Sequence, residues 1–416
     1  MLGAIIGDIV GSIYEFDNIK TKDFPLFTKE CFFTDDTVMT IAVAEALLNG
    51  GTPDDFINSM KKFGKLYPNS GYGGRFREWL FTNKRKPYYS WGNGSAMRVA
   101  PCAWFASSLE EAETLAERSA EVTHNHPEGI KGAKAVAAAI YLAGKREKVR
   151  FDEKRIRTKR IHSDDDIKAY IEKTYDYDLS RTLDEIRPTY KFNESCQETV
   201  PEAIIAYLES NNFEGAIRNA ISLGGDSDTL AAITGSIAEA AYYIPSDITS
   251  KTFSFLDDTL SAVINRWLDN GFTSLAVAGK HDWSNEDFSK PIELDTNYRL
   301  GETEYARIRY GLFPEEMEDK WFVYFEDGKL RFHRSWTGLK TYEAEITKDD
   351  TSYIISKLRV ERDPEIYKCT DDQTDLDSFI YLLARGIIGV PIAPPVNPDD
   401  KSGVLGAWSN FGRMIT

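Results

Sequence analysis

Residues 2–16 read LGAIIGDIVGSIYEF, an apolar stretch in which glycine recurs at every fourth position. This spacing places Gly3, Gly7 and Gly11 on one face of a helix. A face without side chains allows the backbone of a neighbouring helix to approach closely. The stretch therefore predicts a helix that packs tightly against a second helix.

The same stretch contains two carboxylates, Asp8 and Glu15, seven residues apart. Seven residues make about two helical turns, so the sequence predicts that both side chains lie on one face. Asp8 interrupts the apolar run and no basic segment precedes it, which is not typical of a signal peptide. The sequence has no run of about 18 uncharged apolar residues, which argues against a transmembrane helix.

The composition indicates a globular protein with an acidic surface. Of the 416 residues, 42% are hydrophobic and 28% are charged, which is ordinary globular usage. The formal net charge of −16 argues against general nucleic-acid binding, because such a surface repels phosphate. Cys31, Cys102, Cys196 and Cys369 form no CxxC pair. The sequence therefore predicts no disulfide framework and no thiolate zinc site, and it favours a reducing, cytoplasmic location.

Helical patterns predominate up to about residue 280. Helices are predicted over residues 37–48, 109–122, 129–143, 201–210, 213–223 and 228–243. Pro201 is expected in the first turn of its helix, where proline is tolerated. Residues 146–191 differ, because 24 of these 46 residues are Asp, Glu, Lys or Arg. We interpret them as a solvated insertion of short helices.

The pattern changes after about residue 285. Residues 321–325 (WFVYF) and 329–333 (KLRFH) flank the turn sequence EDG, which predicts a β-hairpin. Further strands are predicted at 341–347 and 352–360, and a helix at about 374–385. We therefore predict two domains, 1–280 and 285–416, of which the second is an accessory α+β domain without an assigned role.

Two acidic segments contain the predicted chemistry. Residues 34–37 read TDDT and residues 224–229 read GGDSDT. Each segment places two carboxylates and hydroxyl groups where a loop enters a helix. If the segments face each other, up to four carboxylates converge, and oxygen ligands of this kind suit Mg²⁺ or Mn²⁺. One or two divalent ions would then offset the repulsion between the carboxylates.

Helix capping is the alternative interpretation of both segments. Thr and Asp are favoured at helix N-termini, where the helix dipole stabilises carboxylates. Considered alone, each segment is better explained as a helix N-cap. The similarity of the two segments, together with Glu15, shifts the balance towards a metal site, and a capping residue can also be a ligand.

Glycine-rich turns form a second group of candidates. Residues 91–98 read WGNGSAMR and residues 71–75 read GYGGR. Exposed backbone N–H groups in such turns can bind a diphosphate, although an ordinary loop is the simpler interpretation of each. In the segment THNHP, we interpret His124 as a hydrogen-bond partner for a ligand rather than as a metal ligand. Cys196 has no activating base nearby in the sequence and is predicted to be inert.

Together these stretches resemble the ADP-ribosylglycohydrolase family. The resemblance depends on GAIIGDIVGSIYEF, FTDDTVMT, GYGGR, WGNGSAMRVAP, THNHPEG, ESCQETVPEAIIAYLES and LGGDSDTLAAITGSIAEA, which follow the family's order over residues 1–245. The chain is similar to members that reactivate dinitrogenase reductase and to the ADP-ribosyl-acceptor hydrolases. The resemblance implies a mainly α fold, an orthogonal all-helical bundle with a dinuclear Mg²⁺ or Mn²⁺ centre in a cleft, here followed by the smaller C-terminal α+β domain.

The resemblance also implies roles for individual residues. The implied metal ligands are Thr34, Asp35, Asp36, Asp226, Asp228 and Thr229. The implied substrate-binding residues are Asn93, Gly94, Ser95, Met97 and His124. The glycine-rich turn adds Gly71, Tyr72 and Gly73 to the predicted substrate-binding set, as a loop that would line the ligand site. The candidate catalytic carboxylates are Glu15, which matches a metal-proximal glutamate of some members, Asp36 and Asp228. The insertion at 146–191 and the residues after about 285 depart from the simplest family pattern, which leaves the acceptor open.

The preferred hypothesis is a metal-dependent hydrolase that releases ADP-ribose from a modified acceptor, preferably a protein arginine. A water activated by two Mg²⁺ or Mn²⁺ ions would attack ribose C1, with Glu15, Asp36 or Asp228 assisting proton transfer. One alternative is the same chemistry on a nucleobase or a small-molecule conjugate. Another is a non-catalytic relative that binds ADP-ribose or has a structural role. The expected partner is an ADP-ribosylated protein or small molecule, without a membrane.

Overall fold

The computed structural model describes most of the chain and divides it into two compact units. The described residues are 1–150, 156–272, 274, 276–350, 352–395 and 409–415. The first unit comprises residues 1–149, 158–244 and 266–275. The second comprises residues 150–157, 245–265 and 276–416.

The first unit is mainly helical, as predicted. Its helices are α1 (Leu2–Gly11), α2 (Asp35–Leu48), α3 (Pro53–Leu66), α4 (Gly74–Phe81), α5 (Gly94–Met97), α6 (Ala100–Phe105), α7 (Leu109–Glu121), α8 (Pro127–Gly144), α9 (Asp164–Tyr175), α10 (Leu183–Ile186), α11 (Cys196–Leu208), α12 (Phe213–Ile221) and α13 (Ser227–Ala241). Every residue of α1 and of α13 is buried. These two helices therefore form the centre of the unit.

α1 and α13 pack with their backbones in direct contact. A Cβ atom built on Gly7 would lie 2.0 Å from the carbonyl oxygen of Ala231, and one on Gly11 would lie 2.4 Å from the Cα of Asp228. Close-packed interiors do not accommodate such overlaps, so a side chain at either position would push the helices apart. The predicted tight helix pair is confirmed.

α1 is shorter than predicted and ends at Gly11. The Ser12 hydroxyl donates to the carbonyl oxygen of Ile9 at 2.9 Å, which competes with the backbone bond that a longer helix would make there. Glu15 lies in the turn that follows. The prediction that Glu15 and Asp8 share a helical face is therefore wrong.

The charged insertion contains strands as well as helices. β1 (Arg146–Arg150) and β2 (Ile156–Arg160) form a two-stranded sheet, which corrects the prediction of short helices alone. The predicted helical content of residues 151–155 lies outside the described residues. The insertion is also not solvated throughout, because α9 buries one apolar face. That face consists of Ile167, Ile171 and Tyr175, whose helical spacing is obscured in the sequence by the surrounding charges.

α11 begins earlier than the sequence predicts. It starts at Cys196, so Pro201 lies inside the helix rather than in its first turn. The start is held by a residue that is distant in sequence, because the Cys196 N–H donates to the carbonyl oxygen of Trp91 at 3.0 Å. A local pattern does not reveal this contact.

Within the described part of the second unit, five antiparallel strands form one sheet. They are β3 (Pro291–Leu300), β4 (Trp321–Glu326), β5 (Lys329–Arg334), β6 (Lys340–Lys348) and β7 (Tyr353–Glu361). Their order in the sheet is β3-β7-β6-β5-β4. β4 and β5 form the predicted hairpin. Its turn residues Asp327 and Gly328 have φ values of 53° and 72°, as a type I′ turn requires.

Helices complete this α+β unit, which confirms the predicted class. They are α14 (Ser246–Phe253), α15 (Asp258–Asp269), α16 (Glu302–Arg309) and α17 (Asp372–Tyr381), with a π-helical turn at Leu382–Ile388 and a 3₁₀ turn at Gly412–Ile415. The end of α15, from Arg266, belongs to the first unit. β3 was not predicted, because it is an edge strand with a largely exposed, polar sequence.

The four cysteines are free thiols, as the sequence predicts. Among the helices that the structure describes, none combines the length and the apolar character needed to cross a bilayer.

Replacing Gly7 by Ala tests the contact between α1 and α13. Alanine normally favours a helix over glycine by about 1 kcal/mol, but here its methyl group would overlap the Ala231 carbonyl. We expect the free energy of unfolding, measured with urea, to fall by about 1–3 kcal/mol. Gly144→Ala is the matched control, because its nearest neighbouring atom would be 3.7 Å away. A Gly7→Ala protein as stable as the wild type would contradict the contact.

Candidate metal and substrate cleft

Asp8 anchors the loop that leads into α2. It is completely buried and accepts hydrogen bonds from the Thr34 N–H at 2.9 Å, the Thr34 hydroxyl at 2.6 Å and the Thr37 N–H at 3.0 Å. These backbone donors belong to a helix start and would otherwise lack partners. α1 therefore fixes the position at which α2 begins.

The first acidic segment caps a helix and also faces the cleft. Thr34 is the N-cap of α2, and its hydroxyl accepts a hydrogen bond from the Asp36 N–H at 3.3 Å. Asp35 and Asp36 form the first turn and lie in the cleft wall. The capping interpretation and the cleft location are therefore compatible.

Gly224 and Gly225 turn the chain into α13. Both have positive φ, 66° and 74°, which residues with a Cβ rarely adopt. Asn18 holds this turn, because its Oδ1 accepts from the Gly225 N–H at 2.7 Å and its Nδ2 donates to the Gly225 carbonyl oxygen at 2.9 Å. The turn places Asp226 and Asp228 at the start of α13.

The fold brings the two acidic segments together. Carboxylate oxygens meet in two groups, within 4.8 Å of one another in each. The groups are Asp8, Asp36 and Asp228, and Glu15, Asp226 and Asp228. The Thr229 hydroxyl also donates to Asp36 at 3.2 Å, which joins the start of α13 to the start of α2.

No recorded ion pair joins the clustered carboxylates to a cationic side chain among the residues that the structure describes. Asp36 Oδ1 is buried without a hydrogen-bond partner there. Burial, and then the charges of the neighbouring carboxylates, raise the pKa values of Asp36 and Asp228 well above their usual range. An oxygen-only site with uncompensated negative charge fits a hard divalent cation.

Glu15 and Asp226 also have raised pKa values. Burial, followed by the charges of Asp228 and other carboxylates, raises the pKa of Glu15 to about 8. Burial also raises the pKa of Asp226 to about 6, although Asn93 donates to its carboxylate at 2.6 Å. Glu15 is only partly buried, so it can exchange protons with solvent.

Asn93 ties the glycine-rich loop 91–98 to the acidic cluster. Its side-chain nitrogen donates to Asp226 and, at 3.2 Å, to the Thr199 hydroxyl. Its backbone N–H donates to the Glu194 carbonyl oxygen at 2.7 Å. The loop and the carboxylates therefore form one structural unit.

These elements line one cleft of about 380 Å³. The predicted site residues in its wall are Glu15, Thr34, Asp35, Asp36, Gly71, Gly73, Asn93, Gly94, Met97, His124, Asp226, Asp228 and Thr229. Two predicted substrate-binding residues lie behind the wall. The Ser95 hydroxyl donates to the Gly129 carbonyl oxygen at 2.7 Å, and the buried Tyr72 ring packs edge-on against Phe76.

Several residues in the cleft wall or directly behind it were not predicted. Asp8 is a member of the acidic cluster, and its sequence signal is a single carboxylate inside an otherwise apolar helix. The other unpredicted wall residues discussed below are Phe16, Arg75, Arg98, Phe192 and Glu194. Their positions follow from tertiary contacts rather than from a recognisable pattern.

Cys196 lies beneath the loop 91–98. Its thiol donates to the Gly92 carbonyl oxygen at 3.1 Å, and burial raises its pKa to about 12. A thiol that is so rarely ionised is a poor nucleophile. This environment agrees with the prediction that Cys196 is inert.

A model of the ADP-ribosylglycohydrolase family matches residues 1–274, and the chain belongs to this family. ADP-ribosylhydrolase ARH3 of Gallus gallus is 29% identical in an alignment 310 residues long. The aligned part is 58% of this chain and 84% of the relative. ADP-ribosylarginine hydrolase Tri1 of Pseudomonas putida is 28% identical over 272 residues, with coverages of 58% and 69%. A solved structure titled ADP-ribosylglycohydrolase-related protein complex aligns with a TM-score of 0.47 and 23% identity, covering 63% of this chain and 93% of that one.

The raised pKa values of the clustered carboxylates predict that the metal-free protein loses stability as the pH rises. Glu15 and Asp226 release protons near pH 4 in the unfolded chain, but at about 8 and about 6 in the folded one. The folded state therefore binds more protons across this interval, so the free energy of unfolding decreases with increasing pH. Urea midpoints in EDTA should fall between about pH 5 and 8. Glu15→Gln should flatten the upper part of this curve, whereas a midpoint that rises with pH would contradict it.

Proposed function

We propose that this chain is a metal-dependent hydrolase that releases ADP-ribose from modified arginine side chains. One observation carries the proposal. Two acidic segments and a glycine-rich loop converge in a single cleft of a chain that belongs to the ADP-ribosylglycohydrolase family.

Two Mg²⁺ or Mn²⁺ ions are the proposed cofactors. The proposed ligands are Thr34, Asp35, Asp36, Asp226, Asp228 and Thr229. The carboxylates form two clusters that have Asp228 in common, which supports a pair of ions rather than one. When bound, such ions polarise sugar hydroxyls and lower the pKa of a bound water. In this arrangement Asp8 acts as the anchor of the Thr34 loop.

Glu15 is the preferred group for proton transfer. The other two candidates, Asp36 and Asp228, each accept a hydrogen bond from Thr229, through the hydroxyl and the N–H respectively. No hydrogen bond to the Glu15 carboxylate is recorded among the described residues, and the group lies in the cleft wall. A carboxylate with a raised pKa and a free orientation is suited to take a proton from water and to return it.

The loop 91–98 is the proposed site of the ADP-ribose phosphates. Gly92 and Gly94 leave the backbone accessible, and Asn93 holds the loop against the acidic cluster. His124 lies opposite these glycines in the same cleft. The phosphates would then lie beside the loop while the ribose extends towards the carboxylates.

The wall near Glu15 supports arginine as the acceptor. Phe16 follows Glu15 directly, is 86% exposed, and stacks on Phe192 with the ring centroids 6.3 Å apart. Exposed aromatic rings beside carboxylates favour a cationic group such as a guanidinium. Glu194 adds a further carboxylate to this wall. The relative Tri1 is an ADP-ribosylarginine hydrolase, which agrees with this choice.

Asp228→Asn tests the metal mechanism. The substitution removes the carboxylate that belongs to both clusters. We therefore expect the rate of ADP-ribose release from ADP-ribosyl-arginine, measured by HPLC in the presence of Mg²⁺ or Mn²⁺, to fall at least about 100-fold. EDTA should have a comparable effect on the wild type.

Asp17→Asn is the matched control, because Asp17 is exposed and lies outside the cleft wall. Its activity should equal that of the wild type. Full activity of Asp228→Asn, or of the wild type in EDTA, would reject the metal mechanism. Parallel assays on serine-linked and nucleobase-linked ADP-ribose test the acceptor.

Phe16→Ala tests the arginine acceptor. We expect kcat/KM for ADP-ribosyl-arginine to fall about 2–5-fold, because an exposed cation–π contact contributes about 0.5–1 kcal/mol. A serine-linked conjugate should be less affected, since its acceptor is uncharged. Phe81→Ala, at a ring that is 42% exposed and outside the cleft wall, is the control. Equal decreases in kcat/KM on both substrates would show that this ring does not distinguish arginine from other acceptors.

A further inference from the structure

Arg98 is a buried cation beside the glycine-rich loop. Its side chain is completely buried, and Nη2 donates to the Ser119 carbonyl oxygen at 2.9 Å and to the Thr123 hydroxyl oxygen at 2.8 Å. The guanidinium also lies 5.6 Å from the centre of the Phe76 ring. Both hydrogens of Nη2 are therefore used. Nε and Nη1 have no recorded hydrogen-bond partner among the described residues, so the recorded hydrogen bond that links Arg98 to His124 runs from Nη2 through Thr123.

The Thr123 hydroxyl forms hydrogen bonds with both Arg98 and His124. Thr123 is also completely buried, and its hydroxyl oxygen lies 2.8 Å from His124 Nδ1. A guanidinium donates hydrogen bonds and accepts none, so the hydroxyl accepts from Arg98 and keeps one proton to donate. In the part of the chain that the structure describes, Nδ1 is the only recorded acceptor for that proton.

A donating Thr123 hydroxyl determines which imidazole nitrogen carries the proton. If Nδ1 accepts a hydrogen bond, the proton of the neutral ring is on Nε2. The doubly protonated ring is disfavoured, because burial and then the charges of Arg98 and Arg75 lower the pKa of His124 well below its usual value. The opposite tautomer would leave the Thr123 hydroxyl proton buried without an acceptor, which is costly.

The protonated nitrogen faces the glycine-rich loop. A Cβ atom built on Gly94 would lie 3.1 Å from His124 Nε2, and one built on Gly92 would lie 3.6 Å from it. His124 also belongs to the cleft wall. The absence of side chains at these two glycines therefore lets Nε2 approach the loop closely, at a point where the ring and both glycines line the same cleft.

We propose that Arg98 and Thr123 are positioning residues that hold His124 as an N–H donor towards an anionic oxygen of the substrate at Gly92–Gly94. The inference rests on the proposed function, which places the ADP-ribose phosphates there. An accepting nitrogen would point a lone pair at a phosphate oxygen and repel it. The buried guanidinium thus acts on the ligand through a hydroxyl and an imidazole.

The tautomer is measured directly by ¹⁵N NMR of the full chain labelled at its five histidines, with the His124 signal assigned from a His124→Asn variant. In the metal-free wild type we expect a pyridine-like Nδ1 and a pyrrole-like Nε2. Thr123→Val keeps the side-chain shape and removes the hydroxyl, so it should shift the ring towards the other tautomer. Thr123→Ser keeps the hydroxyl and should retain the wild-type signal.

Calorimetry with ADP-ribose gives the second readout. Loss of one hydrogen bond to a charged group should weaken binding to Thr123→Val about 10–100-fold, whereas Thr123→Ser should bind like the wild type. A wild-type ring protonated on Nδ1 overturns the proposal, even if Thr123→Val does not fold. So does a folded Thr123→Val protein with unchanged tautomer and affinity.

The two readouts distinguish failure of this inference from failure of the proposed function. A wild-type protein with the Nε2–H tautomer that does not bind ADP-ribose would reject the proposed ligand and leave the proton assignment standing. If the wild type binds ADP-ribose and the Thr123→Val variant binds it equally well, the positioning role alone is rejected.

Discussion

The close backbone approach of α1 and α13 is the constraint on which the candidate site depends. Gly3, Gly7 and Gly11 on α1 meet the backbone of α13 without intervening side chains. At the far end of the pair, the buried N-terminal amine of Met1 forms an ion pair with Glu239 at 2.5 Å. A larger residue at these glycines would overlap the backbone of α13 and push the two helices apart. Their contact therefore determines whether Asp8 and Asp228 share a site.

The second constraint is the electrostatic cost of that cluster. Buried carboxylates without a countercharge favour their neutral forms, and a fold tolerates them only where other contacts hold the chain in place. Here those contacts are hydrogen bonds to helix starts and turns. Asp8 holds the Thr34 loop, and Asn18 holds the turn at Gly225. The acidic site is therefore supported by backbone contacts that do not depend on an ion.

The sequence predicted the parts of the cleft whose signals are local. Thr34, Asp36, Asp226 and Asp228 are recognisable because two carboxylates and a hydroxyl at a helix start form a short pattern. The same reasoning wrongly placed Glu15 on the helix α1, since helical periodicity does not show that the helix ends at Gly11. The family resemblance, rather than a local pattern, placed Ser95 in the substrate-binding set; its hydroxyl donates to the Gly129 carbonyl oxygen, and a role in substrate binding stays a prediction.

The sequence by itself determined the mainly helical class of the first unit, the hairpin of the second, the glycine face of α1 and the identity of the two acidic segments. Each of these depends on residues within a few turns of one another, where spacing alone fixes which side chains share a face. Only the tertiary structure decided that Asp8 joins the acidic cluster and that Arg98 reaches His124 through Thr123. These relations depend on which distant backbones touch, and close packing of the whole unit, rather than any local periodicity, sets those contacts.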